Sequence, residues 1–389
     1  MTFFSTCQYF VLILEKYKLC IQELIEQVIL EKEYSSFDNA LYEKKIDIDY
    51  GNKRILPGLI DIHCHGAFGF DTNDANPEGL RNWTKNIVSE GVTAFCPTTI
   101  TQSEAVLEDA VKNVADVISE GYEGAEILGV HLEGPFLSKE YKGAQPEEYI
   151  VEPSLDVFKR YQVAARGNIK YMTLATENDK NFELTRYCAT HDVVVSMGHS
   201  AATYEECCLA IAYGAKSMTH VYNGMSRFGH RENGLTGAAL RIRNVYGEII
   251  CDGLHSTTAA LNTYFMTKGP DYPIMVSDAV MAKGCPAGSK FLFGGQEIEV
   301  YDDGSAHVCA TGGLAGSTLK LNEGLKVLVE DALIPVNYAI NSCTINPARC
   351  LGIDDRKGSI QVGKDADLVV LRNNYGVIQT FCKGKLCLE

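Results

Sequence analysis

At 389 residues, 46% apolar and 22% charged, the chain suits one large α/β barrel with an appendage or two or three ordinary domains, and its composition excludes a disordered or fibrous protein. A formal charge of −15 speaks against nucleic acid or an anionic membrane surface as partner, and an anionic substrate would need its own local cation. The 14 cysteines include no CxxC pair, which suits free thiols in a reducing cytosol better than a secreted disulfide scaffold.

The opening segment is the least regular. Tyr9–Leu14 is apolar, yet it lacks a basic flank and a cleavage site and is too short to span a bilayer, so a cytoplasmic location is expected. Val11–Tyr34 has helix propensity while Ile46–Tyr50 alternates as a strand does, and the two readings stay open there. From Ile55 a rhythm sets in. Strand candidates fall at Ile55–His63, Gly91–Thr98, Ile127–Glu133, Ile169–Ala175, Val193–Gly198, Lys216–His220, Tyr246–Asp252 and Tyr272–Asp278. Helix candidates between them are Pro77–Glu90, Ser103–Glu120, Ser154–Ala165, Asp179–His191, Thr203–Tyr213 and Ser256–Lys268, with Ser317–Asp331 to close. Strand alternating with helix in this way predicts a (β/α)8 barrel. Gly288–Cys309, with Gly-Gly and Asp-Gly turns, reads as a β-hairpin insertion, and Asp367–Leu371 and Gly376–Phe381 as short strands.

The chemistry-bearing residues fall at the carboxyl ends of those strands. His63 and His65 alternate on the first, where side chains two apart face one way; alone, the pair is half a metal site or two ordinary histidines. Later strands end in His131-Leu132-Glu133, Gly198-His199-Ser200, Thr219-His220, Asp252-Gly253-Leu254-His255 and Ser277-Asp278. Barrel enzymes place catalytic groups at that rim, and histidines with carboxylates converging there are what a divalent transition metal requires. His191, His230 and His307 read as surface or structural, Trp83 as a helix-to-barrel contact, and Cys207-Cys208 as core. Gly312–Ser317 lacks the lysine of a phosphate loop and is discounted as one.

As an ordered set, His63-Cys64-His65, Glu133-Gly134-Pro135, Gly198-His199-Ser200, His220–Asn223, Asp252–His255 and Ser277-Asp278-Ala279 resemble the N-acetylglucosamine-6-phosphate deacetylases of the metal-dependent amidohydrolase superfamily. Asn346–Arg349 and Gly363–Asp367 resemble that family's closing segments. The resemblance implies a barrel over 57–355 with the hairpin insertion near 288–309, and a small β-sandwich from 1–56 and 356–389, which favours strands at the start. It implies Glu133, His199 and His220 as ligands of one divalent ion. Some members lack the HxH pair and hold a single metal, whereas here His63 and His65 are available to a second ion bridged by Glu133 or Asp278. One or two ions are therefore expected, and zinc, iron and manganese all suit such donors. Asp278 would be the catalytic base, and His255 a hydrogen-bonding partner of the substrate. Asn223, the Gly224 backbone and Arg231 (with Arg227 as rival) would bind the 6-phosphate, while Ala144, Leu314, Ala315 and Gly316 line the sugar pocket. The arginine would reach across from a neighbouring subunit in a homodimer. Gln145 stands where several members carry a histidine that polarises the acetyl carbonyl.

The expected reaction is deacetylation of N-acetylglucosamine 6-phosphate, a small amino-sugar phosphate. Three rivals stand beside it. The first is the N-acetylgalactosamine epimer as substrate. The second is a cyclic amidase or deaminase, disfavoured by Glu133-Gly134-Pro135, and the third a non-catalytic relative acting as a binding module, disfavoured because all six candidate site residues are retained.

Overall fold

The computed structural model describes residues 17–21, 24–30, 50 and 52–388. Eight strands surround its centre: β1 (Leu59–Cys64), β2 (Val92–Thr99), β3 (Val130–Glu133), β4 (Ile169–Leu174), β5 (Val194–Met197), β6 (Ser217–Met218), β7 (Gly247–Ile250) and β8 (Pro273–Val276). β1 to β6 pair in parallel, each beside the next, and β7 pairs in parallel with β8. Two sets of backbone bonds close the ring. Met218 N donates to Tyr246 O at 3.1 Å across β6 and β7, and Asp278 N to His63 O at 2.8 Å across β8 and β1. With β6 only two residues long and two neighbours joined by loop bonds, this is a distorted (β/α)8 barrel.

Helices cover the outside: α1 (Pro77–Asn86), α2 (Glu104–Glu120), α3 (Leu155–Ala164), α4 (Glu183–Ala189), α5 (Tyr204–Ala212), α6 (Gly234–Arg241), α7 (Thr258–Lys268) and α8 (Leu321–Lys326). Covered outside by helices and packed inside against each other, the strands are buried nearly throughout (Lys170 is half-buried) and read as mostly apolar runs. Trp83 of α1 is fully buried with its ring 4.8 Å from Phe95 of β2, the contact expected of it. Cys207 lies in the core, and Cys208 is half-buried.

Several expectations change in detail. Ile55–His63 is two strands, because Arg54–Pro57 pairs with Leu368–Leu371 in a sheet outside the barrel. The break falls at Gly58, where a Cβ would stand 2.1 Å from Thr93 Oγ1. Asp179–His191 becomes α-helix only from Glu183, after left-handed turns at Asn181 and Phe182. Residues 317–320 stay extended ahead of α8, which runs into a π turn over Val327–Asp331. The insertion carries a third strand: Lys290–Phe293, Gln296–Val300 and Ala306–Val308 form a meander. Its apolar face (Phe293, Ile298, Val300) packs on Val280 and Met281 beside the barrel mouth.

From the two chain ends come a four-stranded antiparallel sheet (Arg54–Pro57, Leu368–Leu371, Val377–Cys382, Lys385–Leu388) and a hairpin of Tyr17–Ile21 with Ile25–Leu30. Strands therefore stand where helix propensity competed, and the sheet contacts that hold Ile25 to Lys364 (N to O, 2.8 Å) favour them. The strand expected at residues 46–50 lies outside the described residues except for Tyr50. Among the described residues no helix is long and apolar enough to cross a membrane.

Candidate metal centre

Six side chains gather at the carboxyl rim of the barrel: His63 and His65 from the end of β1, Glu133 from β3, His199 after β5, His220 after β6 and Asp278 after β8. All six are at most 8% exposed. His199, His220 and Asp278 have φ of 46°, 27° and 49°, a region that costs a non-glycine residue free energy and that clusters at working sites. The turn after each strand is thus bent to aim a side chain inward.

Glu133 stands between two groups of histidines. Its Oε1 lies 3.2 Å from His220 Nε2 and 3.3 Å from His199 Nε2, while its Oε2 lies 3.3 Å from His65 Nε2. His199 and His220 Nε2 are 3.1 Å apart, and His63 and His65 Nε2 3.4 Å. Asp278 Oδ1 reaches His65 Nε2 at 3.2 Å and His63 Nε2 at 3.5 Å.

The far nitrogen of three imidazoles is already committed. His199 Nδ1 donates to Tyr141 O at 2.8 Å, His220 Nδ1 to Asn223 O at 3.1 Å, and His63 Nδ1 to Glu248 Oε2 at 2.8 Å. Each of these rings therefore turns an Nε2 lone pair toward the centre, where lone pairs facing each other at such distances need a cation between them. Ligands each about 2.0–2.1 Å from a tetrahedral zinc stand roughly 3.3 Å apart, the spacing of these nitrogens. His63–His65–Glu133 and Glu133–His199–His220 form a divalent-metal site of one or two ions.

The electrostatics point the same way. On the protein's own charges, burial opposes protonation of His63 and His65, but Glu133 and Asp278 outweigh it and push the imidazoles up to about 9 and about 10. Burial likewise works against the charge of Glu133 and Asp278, yet the histidines draw Glu133 well below the ordinary carboxylate range and Asp278 down to about 2. The pocket is built to hold positive charge.

Residues 54–387 match the amidohydrolase family. The chain belongs to it. It is 41% identical over 348 residues to the N-acetylglucosamine-6-phosphate deacetylase of Bacillus subtilis, covering 89% of this chain and 87% of that one. It is 33% identical to an N-acetylgalactosamine-6-phosphate deacetylase of Escherichia coli O157:H7, covering 85% and 87%. The crystal structure of N-acetylglucosamine-6-phosphate deacetylase from Pasteurella multocida superposes with a TM-score of 0.87 at 31% identity, over 96% of this chain and 95% of that one.

Around this amidohydrolase centre the remaining candidate residues divide. His255, Leu314 and Gly316 line one cavity with Asp252, Ser305 and Thr318, and His255 Nδ1 donates to Asp252 Oδ2 at 2.6 Å. Ala315 is buried beside them. Asn223 and Gly224 sit against His220 and His199. Asn223 N donates to His220 O at 2.9 Å, and a Cβ on Gly224, whose φ is +56°, would meet His199 Nδ1 at 2.9 Å. Arg231 and Arg227 are exposed, and among the described residues neither makes an ion pair. Ala144 O accepts from Gln296 Nε2 at 3.0 Å, which ties Ala144 to the insertion.

Gln145 lies against Glu133. It is 3% exposed, its Oε1 accepts from Thr101 N at 2.8 Å, and its Nε2 donates to Glu133 Oε2 at 2.7 Å. One of its two Nε2–H donors is thus committed to Glu133.

Two acids went unnoticed in the sequence. Asp61 accepts from Ser277 Oγ at 2.6 Å and from Ser277 N at 3.2 Å, which fixes the segment that carries Asp278. Glu248 of β7 is the partner of His63; a single carboxylate inside the apolar run Tyr246–Cys251 is the signal that marks it. His131 joins no ligand set, because its Nδ1 donates to Ile62 O at 3.0 Å and its Nε2 accepts from Thr173 Oγ1 at 2.8 Å.

Proposed function

We propose that the chain hydrolyses N-acetyl-D-glucosamine 6-phosphate to D-glucosamine 6-phosphate and acetate, in amino-sugar catabolism, with two divalent ions at the barrel mouth. The observation that carries the reading is the placement of Glu133 between the His199–His220 pair and His65, in a chain 41% identical to a deacetylase of that sugar phosphate. Glu133, His199 and His220 would hold one ion, and His63 and His65 together with Glu133 the other; zinc, iron or manganese suits these donors. Divalent ions so held make water nucleophilic at neutral pH and polarise an amide carbonyl.

The residues of the chain do the rest. Asp278 is ionised at neutral pH and takes a proton from the water that attacks the acetyl carbon. It returns that proton to the amide nitrogen as the C–N bond breaks, so that acetate and a free amine leave. Gln145 and Thr101 hold Glu133 in place throughout, and burial excludes bulk water. His255, steadied by Asp252, donates to the substrate, with Ala144, Leu314, Ala315 and Gly316 along the sugar.

The 6-phosphate binds at Asn223 and the Gly224 backbone and takes a fork of hydrogen bonds from Arg231, whose guanidinium suits a phosphate. Support for contribution of Arg231 across a homodimer is its exposure with Arg227 and the 58% exposed Phe228 on one loop. The division into a barrel (57–355) and a terminal β unit (1–56 and 356–389) and the cytoplasmic location belong to the same proposal. The galactosamine epimer is the second reading, favoured by the 33% identity to its deacetylase. Acetate release from each sugar phosphate by metal-loaded protein separates them: the glucosamine form is expected to have the higher kcat/KM, and the reverse order would transfer the assignment to the epimer.

A further inference from the structure

The two halves of the metal centre are held differently from behind. His199 and His220 lean on neutral backbone carbonyls, whereas His63 leans on a carboxylate. Glu248 is 0% exposed, its Oε2 takes the His63 Nδ1–H at 2.8 Å and stands 3.4 Å from the backbone N of His220. Among the described residues no lysine or arginine pairs with it; His63 is its ion-pair partner. A carboxylate in the middle of a barrel strand, sealed from water and without a cationic side chain, is costly unless positive charge reaches it through its partner. His63 Nε2, on the other side of the ring, faces the metal centre.

We propose that Glu248 is the positioning residue that commits His63, and with it the His63–His65 half of the centre, to holding a divalent cation. This rests on the two-ion reading given above. Glu248 fixes the tautomer in which Nε2 carries the lone pair, turns the ring toward His65 and Glu133, and makes the imidazole a stronger donor. Charge counting agrees. Glu133, Asp278 and Glu248 are three buried carboxylates with no lysine or arginine among their partners, so one divalent ion leaves the cluster net negative and a second offsets it. A neighbouring group of possible ligands, His63–His131–Glu248, is not a further ion site, since both nitrogens of His131 are engaged. It is the support on which the His63 half rests.

The test is cobalt titration of metal-stripped full-length protein, with ions per chain counted by elemental analysis after desalting, for the wild type, Glu248→Gln and Glu248→Leu. Gln keeps the shape and an acceptor for His63 without the charge, and Leu removes both. The wild type is expected to take two ions per chain. Glu248→Leu is expected to retain the ion at Glu133–His199–His220 with unchanged affinity and to bind the second about 10–100-fold more weakly, with Glu248→Gln between them. A purely structural role would lower the affinity of both ions together or of neither. If the wild type takes one ion only, the two-ion reading fails; if it takes two and both variants bind the second as tightly, the assignment to Glu248 is overturned.

Discussion

Two clusters of buried charge in this molecule have opposite arithmetic. Where the terminal sheet meets the barrel, Glu126, Asp365 and Asp367 are matched by cations of the chain. Arg356 lies 2.7 Å from Glu126 and 2.8 Å from Asp365, Lys357 lies 2.9 Å from each and also pairs with Asp367, and Lys383 reaches Glu126 at 3.2 Å. At the barrel mouth, among the described residues, the ion-pair partners of Glu133, Asp278 and Glu248 are all histidines. The first cluster is complete in itself and joins two parts of the fold. The second lacks its cations, and a buried excess of one sign is tolerable when an ion from outside completes it. The difference separates a structural network from a working one without reference to any relative.

Perturbing each cluster should bring out that contrast. The largest effect is expected from Asp278→Asn, which keeps the shape and a neutral donor but cannot accept a proton. Acetate release should fall about 10²–10⁴-fold, with folding intact by circular dichroism. Stripping metal with a chelator should come next. With free ion about 1,000-fold above its dissociation constant, binding contributes about 4 kcal/mol of stability, so the chelated protein should unfold at a lower temperature and recover on adding cation.

Glu126→Gln should cost about 2 kcal/mol in chemical denaturation at pH 7, whether or not metal is bound, because its partners belong to the chain. Its pH dependence has a definite sign. Burial alone would raise the Glu126 carboxyl, but Arg356 and Lys357 outweigh it and draw it from 4.5 down to about 2. The stabilisation is therefore complete above about pH 4.5 and disappears as pH falls toward 2, where wild type and variant should converge. Glu126→Gln with full stability at pH 7 would mean the network is not the structural joint described. The smallest effect is expected from Gln145→Ala, which frees one oxygen of Glu133: metal affinity should weaken about tenfold, measured by competition with a chelating dye.

Most of this centre was legible because barrel strands end where chemistry begins. A histidine or acid at the end of an apolar run is exposed to the rim by topology alone, and His63, His65, Glu133, His199, His220 and Asp278 all meet there. What lies behind the ligands was harder to read. Glu248 sits inside a strand and not at its end: a lone acid in an apolar run marks it as unusual, but nothing local names His63 as its partner. Gln145 belongs to a loop, and the sequence does not say which of its possible partners the loop will present; the structure gives it Glu133. In the fold, α6 went unread because Gly234 and Gly237 dilute its helix propensity, although the segment is buried over most of its length. The third strand of the insertion was hidden for a similar reason, since Ala306–Val308 is too short to show alternation.

On the proposed reading, the acids and histidines at the barrel mouth work through ions they hold and cannot replace. Acetate release from N-acetylglucosamine 6-phosphate, followed through one cycle of chelation and metal restoration on a single sample, tests this most directly. Turnover should vanish on chelation and return with zinc, iron or manganese. Turnover that survives removal of every measurable ion would contradict the account, as would a fully loaded protein that leaves the sugar phosphate intact.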